Sequence, residues 1–433
     1  MDRRTFTGML AGTAATTMLG CAGRSTGQET ESGGAPMSRD AAGSKKAVLY
    51  SSVGETLTQY DVDVDGAALA RGATVTLPAN VQYVWPHPSM RYLYITSSDS
   101  GPGASGVTGS RHFVSVFRVD AAGALQPHGQ PQALSTRPIH NSVDASGSYA
   151  LIAYNNPSDV TVHRINRDGM LGEQVKQPGP LDTGIFAHQV LTTPSNRSVI
   201  LVTRGNDAAG GKPEDPGALK VFSFKDGVLA NLASVAPAKG YGFGPRHLDF
   251  YPTQPWVYVS IERQNKLHVF RMQDDGTISG PAFAKDLLAE PHNERPRQLG
   301  GPIHIHPSGR WVYVSNRCDN AVTHEGQRVF GGGENSIAVF AIDPRSGEPT
   351  LIQHIDTRGI HVRTFALDPS GRLLVAASIQ SLAARDGTRI TNVPAGLSVF
   401  RVGGDGKLDF ARKYDVEIGS KTQFWMGIVG LPA

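Results

Sequence analysis

The chain has 433 residues, with 41 Lys and Arg against 38 Asp and Glu, a formal net charge of +3. That balance, without any like-charged run of five residues, excludes the electrostatic footprint of a nucleic-acid binder or of a protein held on an anionic membrane surface. Two cysteines exclude a disulfide framework and a cysteine-rich zinc centre, while 50 Gly and 28 Pro announce many tight turns.

The chain opens as a targeting segment. Arg3-Arg4-Thr5-Phe6 precedes the small, weakly apolar run 8–19 (GMLAGTAATTML), too short to span a bilayer. Residues 1–23 therefore read as a signal peptide of the twin-arginine type, which exports proteins already folded. Met18-Leu19-Gly20-Cys21 is similar to a lipoprotein box. Lipidation of Cys21 and plain cleavage both stay open. Residues 24–46 are polar and small, a flexible linker. The expected location is the periplasm or cell envelope, with any membrane attachment made through a lipid on Cys21. Cys318 reads as a buried structural thiol.

From residue 47 onward a pattern repeats. An alternating strand ends in an aromatic or His, a polar turn carries Gly, and a second strand follows. FVSVFRVDAAGAL has Phe117 and Gly123, and GLSVFRVGGDGKL has Phe400 and Gly406. The other copies centre on Tyr60, His163, Phe222, Phe270 and Phe340, making seven copies spaced 46 to 70 residues apart. Period-two strands joined by a Gly turn are hairpins. A second hairpin signal occurs six times, as in FYPTQPWVYVS (250–260), IHPSGRWVYVS (305–315) and LDPSGRLLVAA (367–377). Its Pro, Ser and Gly are turn formers and its flanks are β-branched or aromatic.

Two hairpins per unit make a four-stranded propeller blade. Seven copies of one signal against six of the other leave one blade incomplete. Residues 424–429 (FWMGIV) read as a lone innermost strand, and the first strands, from Val48, lack one. The expectation is an all-β, seven-bladed β-propeller over 47–433, four antiparallel strands per blade, its ring closed by the N- and C-terminal strands. Closure removes exposed sheet edges. Blades one to six are expected at 80–135, 136–180, 181–238, 239–294, 297–356 and 357–417. The seventh combines 418–433 with 47–79.

Innermost strands line a propeller's channel, so polar residues there are the candidates. Blade two supplies His140 and blade three His188. Blade four opens with Arg246 and His247, and its second strand ends at Glu262. Blade five supplies His304 and His306, then Asn316-Arg317, and blade six supplies Arg363. Arginine forks suit carboxylate or phosphate, a carboxylate beside two of them stays ionised, and His moves protons near neutral pH. The same residues also suit a structural role: inner-strand His as hydrogen-bonded staples, Arg and Glu as a blade-to-blade ion pair. His304 and His306 share a strand face, but without a third ligand no metal is expected. The run Gly331–Gly333 has no strand–helix context for a phosphate loop, and no Gly-x-Ser-x-Gly elbow is present.

The segments 244–262 (GPRHLDFYPTQPWVYVSIE), 304–317 (HIHPSGRWVYVSNR) and 361–378 (HVRTFALDPSGRLLVAAS) resemble the seven-bladed propeller lactonases. That family includes propeller-type 6-phosphogluconolactonases and carboxy-muconate lactonizing enzymes. Gly244-Pro245-Arg246-His247 and Asn316-Arg317 match its motifs; in its Asn-Glu pair the Asn is replaced by Ile261 while Glu262 remains. The resemblance implies a catalytic quartet of His188, Arg246, Glu262 and Arg317, with His140, His247, His304 and Arg363 around the substrate. It implies hydrolysis of a small-molecule lactone, 6-phosphogluconolactonase-like, without a cofactor or nucleic acid, by a monomer. A non-enzymatic cell-envelope propeller binding a ligand or protein is the alternative. The insertion 205–217 and the loop 318–335 are expected near the channel mouth.

Overall fold

The computed structural model describes residues 46–101, 109–293 and 295–431. The signal segment, Cys21 and the linker up to residue 45 lie outside the described residues. Six four-stranded antiparallel sheets and one of five strands form the seven blades. Blade four is representative. Its strands Pro245–Phe250, Trp256–Ile261, Lys266–Met272 and Ile278–Asp286 lie in chain order from the innermost outward. In blade one the outermost strand is split into Leu125–Pro127 and Gln132–Ala133, both beside His112–Val119.

The incomplete blade is completed as the two hairpin counts require. Ala68–Thr76, Thr56–Asp63 and Ala47–Val53 are joined by Met426–Gly430, with Ala47 opposite Gly430 and Ser51 opposite Met426. The first and last described strands therefore share one sheet.

Second strands are apolar on both faces, because each face meets a different neighbouring blade. Val257 to Ile261 is buried without interruption, whereas the outermost strand Val228–Val235 is largely exposed. The core is accordingly a set of layers between blades. One layer joins Ile200, Val202 and Leu219 of blade three to Leu248, Val257, Val259 and Phe270 of blade four.

The repeated turn glycine has a second duty besides its turn. Gly169, Gly347 and Gly406 adopt φ of +86°, +76° and +83°, a region that favours Gly. Each also faces the preceding blade at close range. A Cβ on Gly406 would stand 2.4 Å from the Trp311 ring, and one on Gly169 2.4 Å from the Tyr92 ring. The glycine carbonyls accept from second-strand tyrosines of the preceding blade: Tyr50 to Gly123 at 2.6 Å, Tyr94 to Gly169 at 2.8 Å, Tyr258 to Gly347 at 2.6 Å and Tyr313 to Gly406 at 2.9 Å. Gly66 departs from the pattern, since the positive φ of its turn falls on Ala67.

One expectation needs correction. Residues 318–335 are not a plain loop. Ala321–His324 and Gln327–Phe330 form a hairpin whose turn residues, Glu325 and Gly326, both have positive φ. It pairs in parallel with a second hairpin, Leu382–Asp386 and Arg389–Val393, to make an eighth small sheet. Cys318 at its base is fully buried, as expected for a structural thiol.

The glycine lock makes a testable statement. Gly406→Ala combines a left-handed backbone with a ring clash and should cost roughly 2 kcal/mol or more. Gly404→Ala, two residues earlier in the same turn and facing open space, should be close to neutral. Urea denaturation midpoints of the two variants check this.

Candidate functional site

Two repeating positions build the site. The first is a β-bulge in the innermost strand. Register slips between Val81 and Tyr83, between Ala187 and Gln189, between Pro245 and His247, and between Val362 and Thr364. The extra residues are Gln82, His188, Arg246 and Arg363. Blade two bulges at Ile139 and blade five at Gly301-Pro302. A bulge bends the strand and re-aims the inserted side chain, here beside the channel. His140 follows its bulge, in register with Tyr83 and His247, so it is not the positional equivalent of His188.

The second position is the end of the second strand. Thr203, Ile261 and Asn316 each pair with the first residue of the third strand, at Ala218, Lys266 and Ser336. Arg204, Glu262 and Arg317 follow them directly and hold one place in three successive blades. Sequence reasoning found Glu262 and Arg317 but missed Arg204. The signal was available, because ILVTR (200–204) aligns with YVSIE (258–262) and YVSNR (313–317).

These positions converge on one carboxylate. Glu262 Oε1 accepts from Arg317 Nη2, and Oε2 accepts from Arg204 Nε. Arg246 Nε lies 3.4 Å from Oε1. Glu262 is 4% exposed and Arg246 1%. Burial alone pushes the Glu262 carboxyl up, but Arg204, Arg317 and Arg246 outweigh it and hold it at about 2. Arg204 also binds Asp207 at 2.7 Å, and Arg263 binds Asp207 at 2.7 Å and Glu214. The insertion 205–217 is thereby tied to the site's edge, where it was expected.

Arg317 is braced from its other side. Its Nη1 donates to His361 Nε2 at 2.8 Å, and His361 Nδ1 points at Asp319 Oδ2, 3.6 Å away. Arg297 Nη2 holds Asp319 in turn, at 2.7 Å. The Asp319 carboxylate favours a proton on Nδ1, which leaves Nε2 free to accept from Arg317. His361 sits at φ +59°, a strained conformation for a non-Gly residue.

Imidazoles line the rest of the cluster. The His188 and His247 ring centroids are 5.0 Å apart, and His140 is 6.3 Å from His247. Arg246 Nη1 donates to His247 Nδ1 at 3.1 Å. His188 Nδ1 and His140 Nε2 are buried without a hydrogen-bond partner among the described residues. Burial first, then the Arg246 charge, hold His188 and His247 well below the ordinary imidazole range and His140 at about 3. All three are neutral at pH 7. Tyr83, also missed from the sequence, packs on His140 with centroids 4.0 Å apart. Arg363 lies over the Phe424 ring, its guanidinium carbon 3.6 Å from the centroid. Burial, Arg317 and Arg137 lower it to about 9.

His304 lies apart from this group. It packs edge-on against Phe365, 42% of its side chain stays exposed, and its nearest charged neighbour is Asp249 at 4.0 Å. His306 is a staple, with Nδ1 on Ser308 Oγ at 2.7 Å and Nε2 on the Gly371 carbonyl at 2.9 Å. The two do not converge, and among the described residues no cluster of His, Cys, Asp or Glu is arranged as a ligand set. The site is thus three guanidiniums around one carboxylate, with Arg363 on Phe424 and neutral imidazoles beside them. Its surplus positive charge suits an anionic ligand or a developing oxyanion.

The neutral histidines predict how the fold responds to acid. His140 and His361 are held at about 3 and about 4, largely by burial, while an unfolded histidine titrates near its ordinary value. Below about pH 6.5 the unfolded chain binds more protons, so each should cost up to about 1.4 kcal/mol of stability per pH unit on acidification. Glu262 adds a loss only below its unfolded value of about 4.3. Urea midpoints should fall steadily from pH 7 to pH 5; a flat profile would contradict the neutral assignment.

Comparison with known proteins agrees with this architecture. Residues 43–385 match the family described as "Lactonase, 7-bladed beta-propeller". A 6-phosphogluconolactonase of Bacillus subtilis is 26% identical over 359 residues, 80% of this chain and 92% of that protein. One from Pectobacterium carotovorum is 27% identical over 308 residues, 71% and 80% of the respective chains. Among solved structures, the periplasmic gluconolactonase of Pseudomonas aeruginosa superposes with a TM-score of 0.64 at 21% identity, covering 89% of this chain and 99% of that one. A putative 6-phosphogluconolactonase of Bacteroides uniformis gives 0.65 at 19% identity, covering 89% and 99%. On the match of 43–385, the chain belongs to the seven-bladed β-propeller lactonase family.

Proposed function

We propose that this lactonase hydrolyses a sugar lactone, in the manner of a 6-phosphogluconolactonase, at the guanidinium cluster, and that it does so outside the cytoplasm. The twin-arginine-type segment and the periplasmic location of the Pseudomonas aeruginosa gluconolactonase support export. The observation that carries the chemistry is the pairing of a charge surplus with an unpartnered base. Arg246 Nε has no hydrogen-bond partner, and His188 Nδ1 nearby is buried, neutral and also unpartnered.

The roles follow from the protonation states. Glu262 is a poor base, because it is held at about 2 and both its oxygens are committed to guanidiniums. Its role is to hold Arg204, Arg246 and Arg317 in one array. His188 is the general base. It takes a proton from water as the water oxygen bonds to the lactone carbonyl carbon. Arg246 and Arg317 stabilise the negative charge that develops on the carbonyl oxygen. That anion offsets the cationic field on His188 and raises its proton affinity when the proton arrives. The ring C–O bond then breaks, the proton passes to the departing ring oxygen, and a hydroxy acid is released.

His188→Asn should lower kcat by about 10²- to 10⁴-fold and abolish the acid limb of the kcat–pH profile. Glu262→Gln should lower kcat/KM while keeping that limb. Assays on aldonolactones at mildly acidic pH, where spontaneous opening is slow, check both. A limb lost in Glu262→Gln and kept in His188→Asn would reverse the assignment. Binding of lactone without turnover above the spontaneous rate would favour a non-enzymatic propeller instead.

A further inference from the structure

One buried guanidinium lies outside the array just described. Arg137 stands immediately before the first strand of blade two, Pro138–Val143, and is 6% exposed. Its Nε and Nη2 both donate to Gln82 Oε1, at 3.0 and 2.7 Å. Gln82 is the bulge residue of blade one, and its own amide nitrogen donates to the Asn80 carbonyl at 3.1 Å. That bond fixes which end of the amide faces Arg137. A neutral amide orients the guanidinium but cancels none of its charge. Among the described residues no carboxylate forms an ion pair with Arg137, and burial lowers it to about 10, which leaves it cationic at pH 7. A buried cation without a counter-ion is costly, so a charge kept here calls for a compensating anion.

A cavity provides the room. About 200 Å³ is lined by Gly54, Asn80, Gln82, Arg137, Lys421 and Phe424, among others. Lys421 is already neutralised by both oxygens of Glu55, at 2.5 and 2.6 Å. The unneutralised charge in this cavity is therefore that of Arg137. The cavity also borders the reaction cluster. The Phe424 ring that lines the cavity carries both Arg363, at 3.6 Å, and Arg137, at 6.0 Å, measured from guanidinium carbon to ring centroid.

We propose that Arg137, presented by Gln82 beside Phe424, is a remote anion subsite that selects lactones carrying a second anionic group, a phosphate or a carboxylate, away from the ring ester. The inference rests on the lactonase reading and adds to it the residue that selects among lactones. An arginine fork with two donors fixed by Gln82, and with Nη1 unpaired among the described residues, can meet one oxygen of such a group by a charge-assisted bond.

The test compares gluconolactone, a glucarolactone bearing a free carboxylate, and 6-phosphogluconolactone. Wild type should favour at least one anionic lactone over gluconolactone, and the winner identifies the anion. Arg137→Met should remove about tenfold or more of that preference through KM, with gluconolactone turnover little changed. Arg137→Lys should restore part of it. Gln82→Glu, which neutralises Arg137 in place, should act like Arg137→Met and covers the case where that variant fails to fold. An equal loss on all three lactones, or no loss on any, overturns the subsite. If wild type opens none of them, the lactonase reading fails. The subsite is then read by titrating inorganic phosphate against Trp fluorescence, since Trp425 adjoins Phe424. Binding weakened about tenfold in Gln82→Glu supports the subsite, and unchanged or absent binding overturns it.

Discussion

No blade of this protein can cover itself. A four-stranded sheet with apolar residues on both faces of its second strand must be buried between two others, and only a ring gives every sheet two neighbours. The tie between neighbours recurs. A tyrosine on one second strand donates to a glycine carbonyl in the next blade's outer turn, and that glycine has no side chain to keep the blades apart. This contact fixes how far each blade slides against the next. Arg204, Glu262 and Arg317 can meet only because three successive blades stand at the same height. The inter-blade lock at the periphery thus sets the geometry of a charge cluster at the centre.

Much of this was legible in the chain. The aromatic-to-glycine repeat has a physical origin in the turn and in the packing of the glycine on its neighbour, so its count is the blade count. The lone strand at 424–429 was legible for the same reason, as an unpaired half of a repeat. The site was partly legible. Arg246, Glu262 and Arg317 lie in segments whose strand pattern is clear, and the structure places them together. Arg204 was overlooked because a long insertion follows it and disguises the end of its strand. His361 stood at the opening of blade six in the sequence, but Asp319 and the relay between them were not legible, because a side-chain relay across two blades is recorded by no spacing along the chain. His304 was expected in the cluster because it sits on an inner strand, but strand membership does not specify depth in the channel, and His304 lies against Phe365. The hairpin at 321–330 was not legible because its strands are only four residues each and the Gly-rich run 331–333 that follows has the composition of a loop.

The site's electrostatics invert an intuition about buried charge. A single carboxylate with three guanidiniums is over-compensated, so Glu262 is frozen in its ionised form and has little chemistry left to offer. Burial first, and the surrounding field after it, keep the imidazoles neutral, which is the state a base needs before the reaction and a poor state for ion pairing. The bulges place this arrangement. Without the inserted residues, His188, Arg246 and Arg363 would follow the regular alternation of their strands.

The blade built from both ends of the chain has a consequence for how the molecule is made. Ala47 meets Gly430 across nearly the whole sequence, so that sheet carries the largest loop-closure entropy among the described strands, and its innermost strand is made after every other described strand. Until then Ala47–Val53 presents an open edge, able to accept the equivalent terminal strand of another copy. The same join that seals the ring in one molecule is the place where two molecules, each with its terminal strand made but not yet seated, would exchange them.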